Sequence, residues 1–111
     1  MSSSALFTTL PKILGKEATK RLLKVAQPEL QQYQQGLLNS LQQQDWQTAA
    51  ALAHKLSATA HLYDSASLQA ALDDINAQNL AALQHPAFIP TLMQTFQQIQ
   101  ANIRLFISDN N

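Results

Sequence analysis

The chain has 111 residues, enough for one compact domain with one core and too few for two. Hydrophobic residues make up 46%, inside the globular range, which argues against disorder throughout. Seven basic residues balance seven acidic ones, which argues against a dedicated nucleic-acid binder, and the absence of cysteine excludes disulfides, thiolate metal sites and cysteine nucleophiles. Leucine, alanine and glutamine dominate while β-branched and aromatic residues are scarce, so the composition favours an all-α domain. Met-Ser-Ser-Ser-Ala-Leu-Phe lacks the basic start and apolar run of a signal peptide, and no apolar stretch approaches the roughly 20 residues of a membrane span. A cytoplasmic domain without membrane insertion is expected.

A short apolar lead-in (Leu6, Phe7, Leu10, Ile13, Leu14) runs into Gly15, and Pro11 is expected to break its middle. Leu6, Phe7 and Leu10 are expected to cap one end of the core. Apolar residues from Leu22 to Leu41, spaced mostly by three and four, predict a first long segment over about 16–43. Pro28 inside it predicts a kink or two helices end to end. Five of the seven positive charges (Lys12, Lys16, Lys20, Arg21, Lys24) fall on this stretch and the lead-in, as a solvated face or as a patch for an acidic partner.

Asp45 reads as the N-cap of the next helix, predicted over about 46–62, with Trp46 as a packing anchor. Asp64-Ser65-Ala66-Ser67 carries turn and cap chemistry and opens a helix over about 66–77. Asn76 to Pro86 is a looser connection in which Leu80 to Leu83 can form a turn of helix. Ile89, Leu92, Phe96, Ile99, Ile103 and Phe106 make one apolar stripe on a last helix over about 87–107. Short connections between long helices favour antiparallel neighbours. The expected fold is therefore an antiparallel up-down four-helix bundle with a short N-terminal helical extension.

On the helix over 46–62, Ala49, Leu52, Ala53, Leu56, Ala60 and Tyr63 fall on one side at about 100° per residue. His54 lies roughly 140° from the centre of that stripe and so points outward. The residues sharing its face are Ala50, Ala51, Ser57 and Ala58, all small. An ordinary solvated face would carry lysine, glutamate and glutamine there. A free imidazole titrates near about 6.5, so at neutral pH one nitrogen is mostly unprotonated and nucleophilic. Phosphoryl transfer asks mainly for positioning and charge neutralisation, which an exposed histidine on a rigid helix can meet if the partner brings metal and charge.

The stretch Ala53-His54-Lys55-Leu56-Ser57-Ala58-Thr59-Ala60, with Leu68 further on, resembles the signature of histidine-phosphotransfer (HPt) domains, roughly A-H-x-L-K-G-S-A followed by a Gly-Ala turn and a leucine. The order of helices and the length extend that resemblance over most of the chain. It implies a four-helix bundle that relays phosphate between the aspartates of response-regulator receiver domains in bacterial phosphorelays. It further implies that His54 is the phosphoacceptor, that Leu56 and Leu68 are core positions, and that Ala50, Ala51, Ser57, Ala58 and His61 border the docking surface. Receiver domains or a hybrid sensor kinase would be the partners of a monomeric carrier that is not itself an enzyme and uses no cofactor. The sequence departs from the signature at Ser57, where the family has lysine, at Ala58, where it has glycine, and at Asp64-Ser65, in place of the Gly-Ala turn. Lys20, Arg21 or Lys24 are the candidates to replace the missing positive charge.

Two other readings stay open: an HPt-like module that docks a receiver or kinase without carrying phosphate, and a helical adaptor binding through 12–24. No metal site is expected, since His54 and His61 are two turns apart, about 10 Å, without a completing carboxylate. His85 and Asp73-Asp74 are assigned no role.

Overall fold

The lead-in and the first long segment meet at Gly15, and there the backbone breaks. The computed structural model describes residues 7–109 and joins both segments in α1, Thr9–Gln42, whose one non-helical residue is Gly15 at φ 81° and ψ 169°. That region of backbone space is open to glycine almost alone. A Cβ at Gly15 would meet no atom within 4 Å, so backbone conformation rather than space demands glycine. Pro11, expected to break the lead-in, sits instead in the first turn of α1, where its missing amide costs no helical bond, and Pro28 does not split the helix in two. Pro28 is exposed, and Leu23, Ala26, Leu30 and Leu37 around it are buried, so packing holds the helix through the missing amide. The side-chain amide of Gln100 donates to the carbonyl of Gln27 beside the proline, at 3.0 Å.

A turn over 43–45 leads into α2, Trp46–Ser57. Asp45 caps it as expected: one carboxylate oxygen accepts from the Thr48 amide at 3.2 Å and the other from its hydroxyl at 2.6 Å. These bonds hold the Asp45 carboxyl below its ordinary value, the hydroxyl bond first. The helix ends at Ser57, five residues short of the expected boundary. Ser57 turns its hydroxyl onto the carbonyl of Ala53 at 2.7 Å, and the amides of Ala58 and Thr59 bond back three residues rather than four. Hydroxyl competition of this kind loosens the last turn of a helix. A 3-10 turn follows over Ala60–Tyr63.

Then come α3 (Ala66–Asn76), α4 (Leu80–Leu83) and α5 (Phe88–Asp109), close to the spans the periodicity predicts. Ser65 caps α3 by accepting from the Leu68 amide at 3.1 Å. Asp64 has a different task. In left-handed conformation (φ 52°), its carboxylate accepts from the amides of Thr8 and Thr9, at 2.8 and 3.2 Å, and from the Thr9 hydroxyl. Thr8 makes no side-chain cap of its own, so the start of α1 is capped from the other end of a 56-residue loop of chain.

The described residues are all-helical, with no strand among them. α2 packs against both α1 and α3, and α5 against α1 and α3. Buried leucines of α1, Ala49, Ala53 and Leu56 of α2, Leu68, Leu72 and Ile75 of α3, and the stripe from Leu92 to Phe106 on α5 form one hydrophobic cluster. Phe7 and Leu10 close one end of it, as expected of the lead-in, with Phe7 edge-on to Phe106 at 6.1 Å between ring centres. Leu6 lies outside the described residues. The molecule measures 41 × 25 × 19 Å. Its length is that of the 27 residues of α1 after Gly15, at about 1.5 Å each.

Candidate functional site

The inner side of α2 is alanine, and that sets how the helix can sit. Ala49 and Ala53 are fully buried, with Leu56 below them and Leu52 half-buried on one flank. Leu52 meets α1 at a glycine. A Cβ on Gly36 would come within 2.9 Å of the Leu52 Cδ1. The close approach of α1 to α2 therefore relies on a residue without a side chain.

The opposite flank of α2 belongs to α3. The Asn76 side-chain amide donates to the Ser57 hydroxyl oxygen at 3.1 Å, while that hydroxyl donates to the Ala53 carbonyl. His54 is exposed, about 60° around the helix from Ser57 and about 160° from Leu52. It thus faces outward on the α3 side of α2. Ala51, Ser57 and Ala58 around it are exposed and Ala50 is half-buried. No long side chain of α2 overhangs the ring.

His61 is exposed too, but it sits in the 3-10 turn and not on a continuation of α2. The straight-helix spacing between the two histidines therefore does not hold. With Ser57, Gln69 and Asp73, His61 lines a shallow cleft between the turn and α3. Among the described residues no group of three or more histidine, aspartate or glutamate side chains is arranged to hold a metal ion.

Asn76 is the polar neighbour that sequence reading leaves unassigned. It lies 19 residues from Ser57, at the end of α3 where the periodicity fades into a connection. Only the pairing of α2 with α3 brings it to this flank.

Lys20, Arg21 and Lys24 are the cations expected to serve in place of one at position 57. Leu52, the residue of α2 that meets Gly36 of α1, lies about 160° around α2 from His54. The three cations belong to α1, on the flank of α2 turned away from His54. Lys55, one residue along, projects about 100° away. Ser57 shares the outer side of α2 with His54; its hydroxyl bonds to the Asn76 amide, and Asp73 lines the same cleft as Ser57.

This arrangement offers an accessible imidazole on a rigid helix, hydrogen-bonding groups on one side of it, and a margin of small residues. It can accept a group from a large donor that brings its own positive charge. No family model, curated protein or solved structure matches the chain. No helix is long and apolar enough to cross a membrane among the described residues.

Proposed function

We propose that this chain is a phosphocarrier of the histidine-phosphotransfer kind, with His54 as phosphoacceptor, and that α1, α2, α3 and α5 form its antiparallel four-helix bundle. The short turn over 43–45, the contact of Gly36 with Leu52, and the Gln27–Gln100 and Ser57–Asn76 bonds all support that arrangement. The residues 9–14 are then the N-terminal extension.

One observation carries the reading: His54 is exposed on a well-packed helix, and the residues sharing its face are Ala50, Ala51, Ser57 and Ala58. A receiver domain must bring a buried aspartyl phosphate to the ring, and small neighbours give it room. The unprotonated ring nitrogen attacks phosphorus, a P–N bond forms, and the P–O bond to the donor carboxylate breaks. The carboxylate leaves with the electron pair. Reversal on a second receiver passes the group on. The receiver and its divalent cation neutralise the phosphoryl charge, as the family's relay implies. Partners are receiver domains or a hybrid sensor kinase, in the cytoplasm.

Ser57 favours a second reading. Tied to Ala53 and Asn76, it supplies no cation to a phosphoryl group, which suits a module that docks a receiver without carrying phosphate.

Incubation with labelled phospho-receiver domains separates the two. Wild type should gain an acid-labile, base-stable label and His54→Gln should gain none. Equal labelling of both proteins sinks the carrier reading. Stable receiver binding with no label on wild type favours the docking module.

A further inference from the structure

Zero net charge conceals a polar molecule. Six of the seven lysines and arginines are Lys12, Lys16, Lys20, Arg21, Lys24 and Arg104; Lys55 is the other. The first five lie in the first half of α1, and Arg104 is brought to them by tertiary structure. The Gln100–Gln27 bond sets α5 against α1, and the Phe7–Phe106 contact sets its last turns against the start of the described chain. Glu17 and Glu29 on α1 offset part of this charge, but cations outnumber acids here, and the Asp64 carboxylate is occupied by Thr8 and Thr9.

The same end exposes aliphatic side chains. Among the described residues five large hydrophobics are exposed, and four are here: Ile13 (67%), Leu14, Val25 (66%) and Leu105. Arg21, Lys24 and Val25 share one face of α1 at spacings of three and four. Ile13 and Leu14 lie between Lys12 and Lys16 at the Gly15 break. The clefts between α3 and α5 and between α1 and α5 are lined chiefly by glutamine, serine and threonine, so they do not account for these aliphatics. A single exposed leucine needs no explanation, but four concentrated where the cations are concentrated do.

We infer that this end of the molecule is a peripheral docking surface for an anionic phospholipid bilayer. Lysines and arginines meet the headgroup charge, and Ile13 and Val25 enter the boundary between headgroups and chains. That pairing of cations with inserted aliphatics marks interfacial membrane binding. A nucleic acid would use exposed aromatic platforms or base-reading groups beside the cations. The exposed hydrophobics here are all aliphatic. The surface is independent of His54, which stays accessible on the α2–α3 side.

The test is sedimentation of the full chain with vesicles of phosphatidylcholine alone or mixed with phosphatidylglycerol. Binding is expected to the mixed vesicles only, and to weaken with salt. Each lysine or arginine near such a surface strengthens binding about five-fold, so Arg21→Gln with Lys24→Gln should weaken it about 25-fold. Ile13→Ser with Val25→Ser should weaken it roughly ten-fold, both positions being exposed enough to leave the fold intact. Absence of binding to the mixed vesicles overturns the inference. So does binding that the serine pair leaves unchanged, which would be adsorption to any polyanion. Binding to an acidic polypeptide such as polyglutamate but not to vesicles would make the partner a protein and overturn it equally.

Discussion

Gly15 and His54 are each decided by their immediate surroundings, in opposite ways. At Gly15 the backbone adopts φ 81° and ψ 169°, which an L side chain enters only at a cost. Gly15→Ala should therefore destabilise the protein by about 1–3 kcal/mol although open space surrounds the position. Urea denaturation would measure it, and an unchanged midpoint would show that the break tolerates a Cβ. The buried Thr19 hydroxyl donates to the Gly15 carbonyl at 2.7 Å and helps hold the restart of the helix. At His54 the backbone is ordinary helix and the side chain carries the meaning. The period of the helix makes its exposure legible, because one turn of α2 already fixes which residues face inward.

Caps link the helices to one another, and Asp64 is the informative one. Partial burial pushes its carboxyl up, but the bonds from the Thr9 hydroxyl and the Thr8 and Thr9 amides, with Lys12 nearby, outweigh this and hold it below the ordinary 3.8. A carboxyl lowered on folding stabilises the protein above its unfolded value, and that contribution fades as pH falls through the folded one. Asp64→Asn keeps a residue that tolerates the left-handed conformation. It should be less stable than wild type at neutral pH, and the gap should close as pH drops below 3.8. Denaturation curves across an acid series would show it; a gap constant with pH would mean that the charge does not matter. In the sequence Asp64 and Ser65 read together as turn and cap for α3. Only Ser65 serves that helix, while Asp64 caps α1, since the turn between the 3-10 segment and α3 points its carboxylate at Thr8 and Thr9.

Across the whole molecule one cluster joins all five helices, so a loss at one end is felt throughout. Phe7 is fully buried against Phe106 at the very start of the described chain. Phe7→Ala should cost about 3 kcal/mol, the lower bound for truncating a buried phenylalanine, because a terminal segment can partly relax. That is a large part of the stability of a small domain. Thermal unfolding followed by circular dichroism would detect it, and a shift of the midpoint within error would show that the lead-in is not part of the cooperative unit. The polarity of charge also belongs to the whole molecule. Arg104 joins the N-terminal cations through the packing of α5 on α1, so no window of sequence contains the patch.

Composition and period were sufficient for the helical class, the Gly15 break, the Asp45 cap, the stripe of α5 and the outward direction of His54. Each rests on interactions within one or two turns of chain, where spacing in sequence is spacing in space. Pro11 and the early end of α2 departed from expectation, because a proline in the first turn forfeits no helical bond and because hydroxyl competition outweighed the simple pattern. Which side chains meet across the helices was out of reach of the sequence. Asn76 comes from 19 residues beyond Ser57, Asp64 reaches back 56 residues to Thr8, and Gln100 spans 73 to Gln27. The same long-range pairing sets α1 against the flank of α2 opposite His54. Side-chain periodicity says which face of a helix is buried, and only the packing of helices says which neighbour it is buried against.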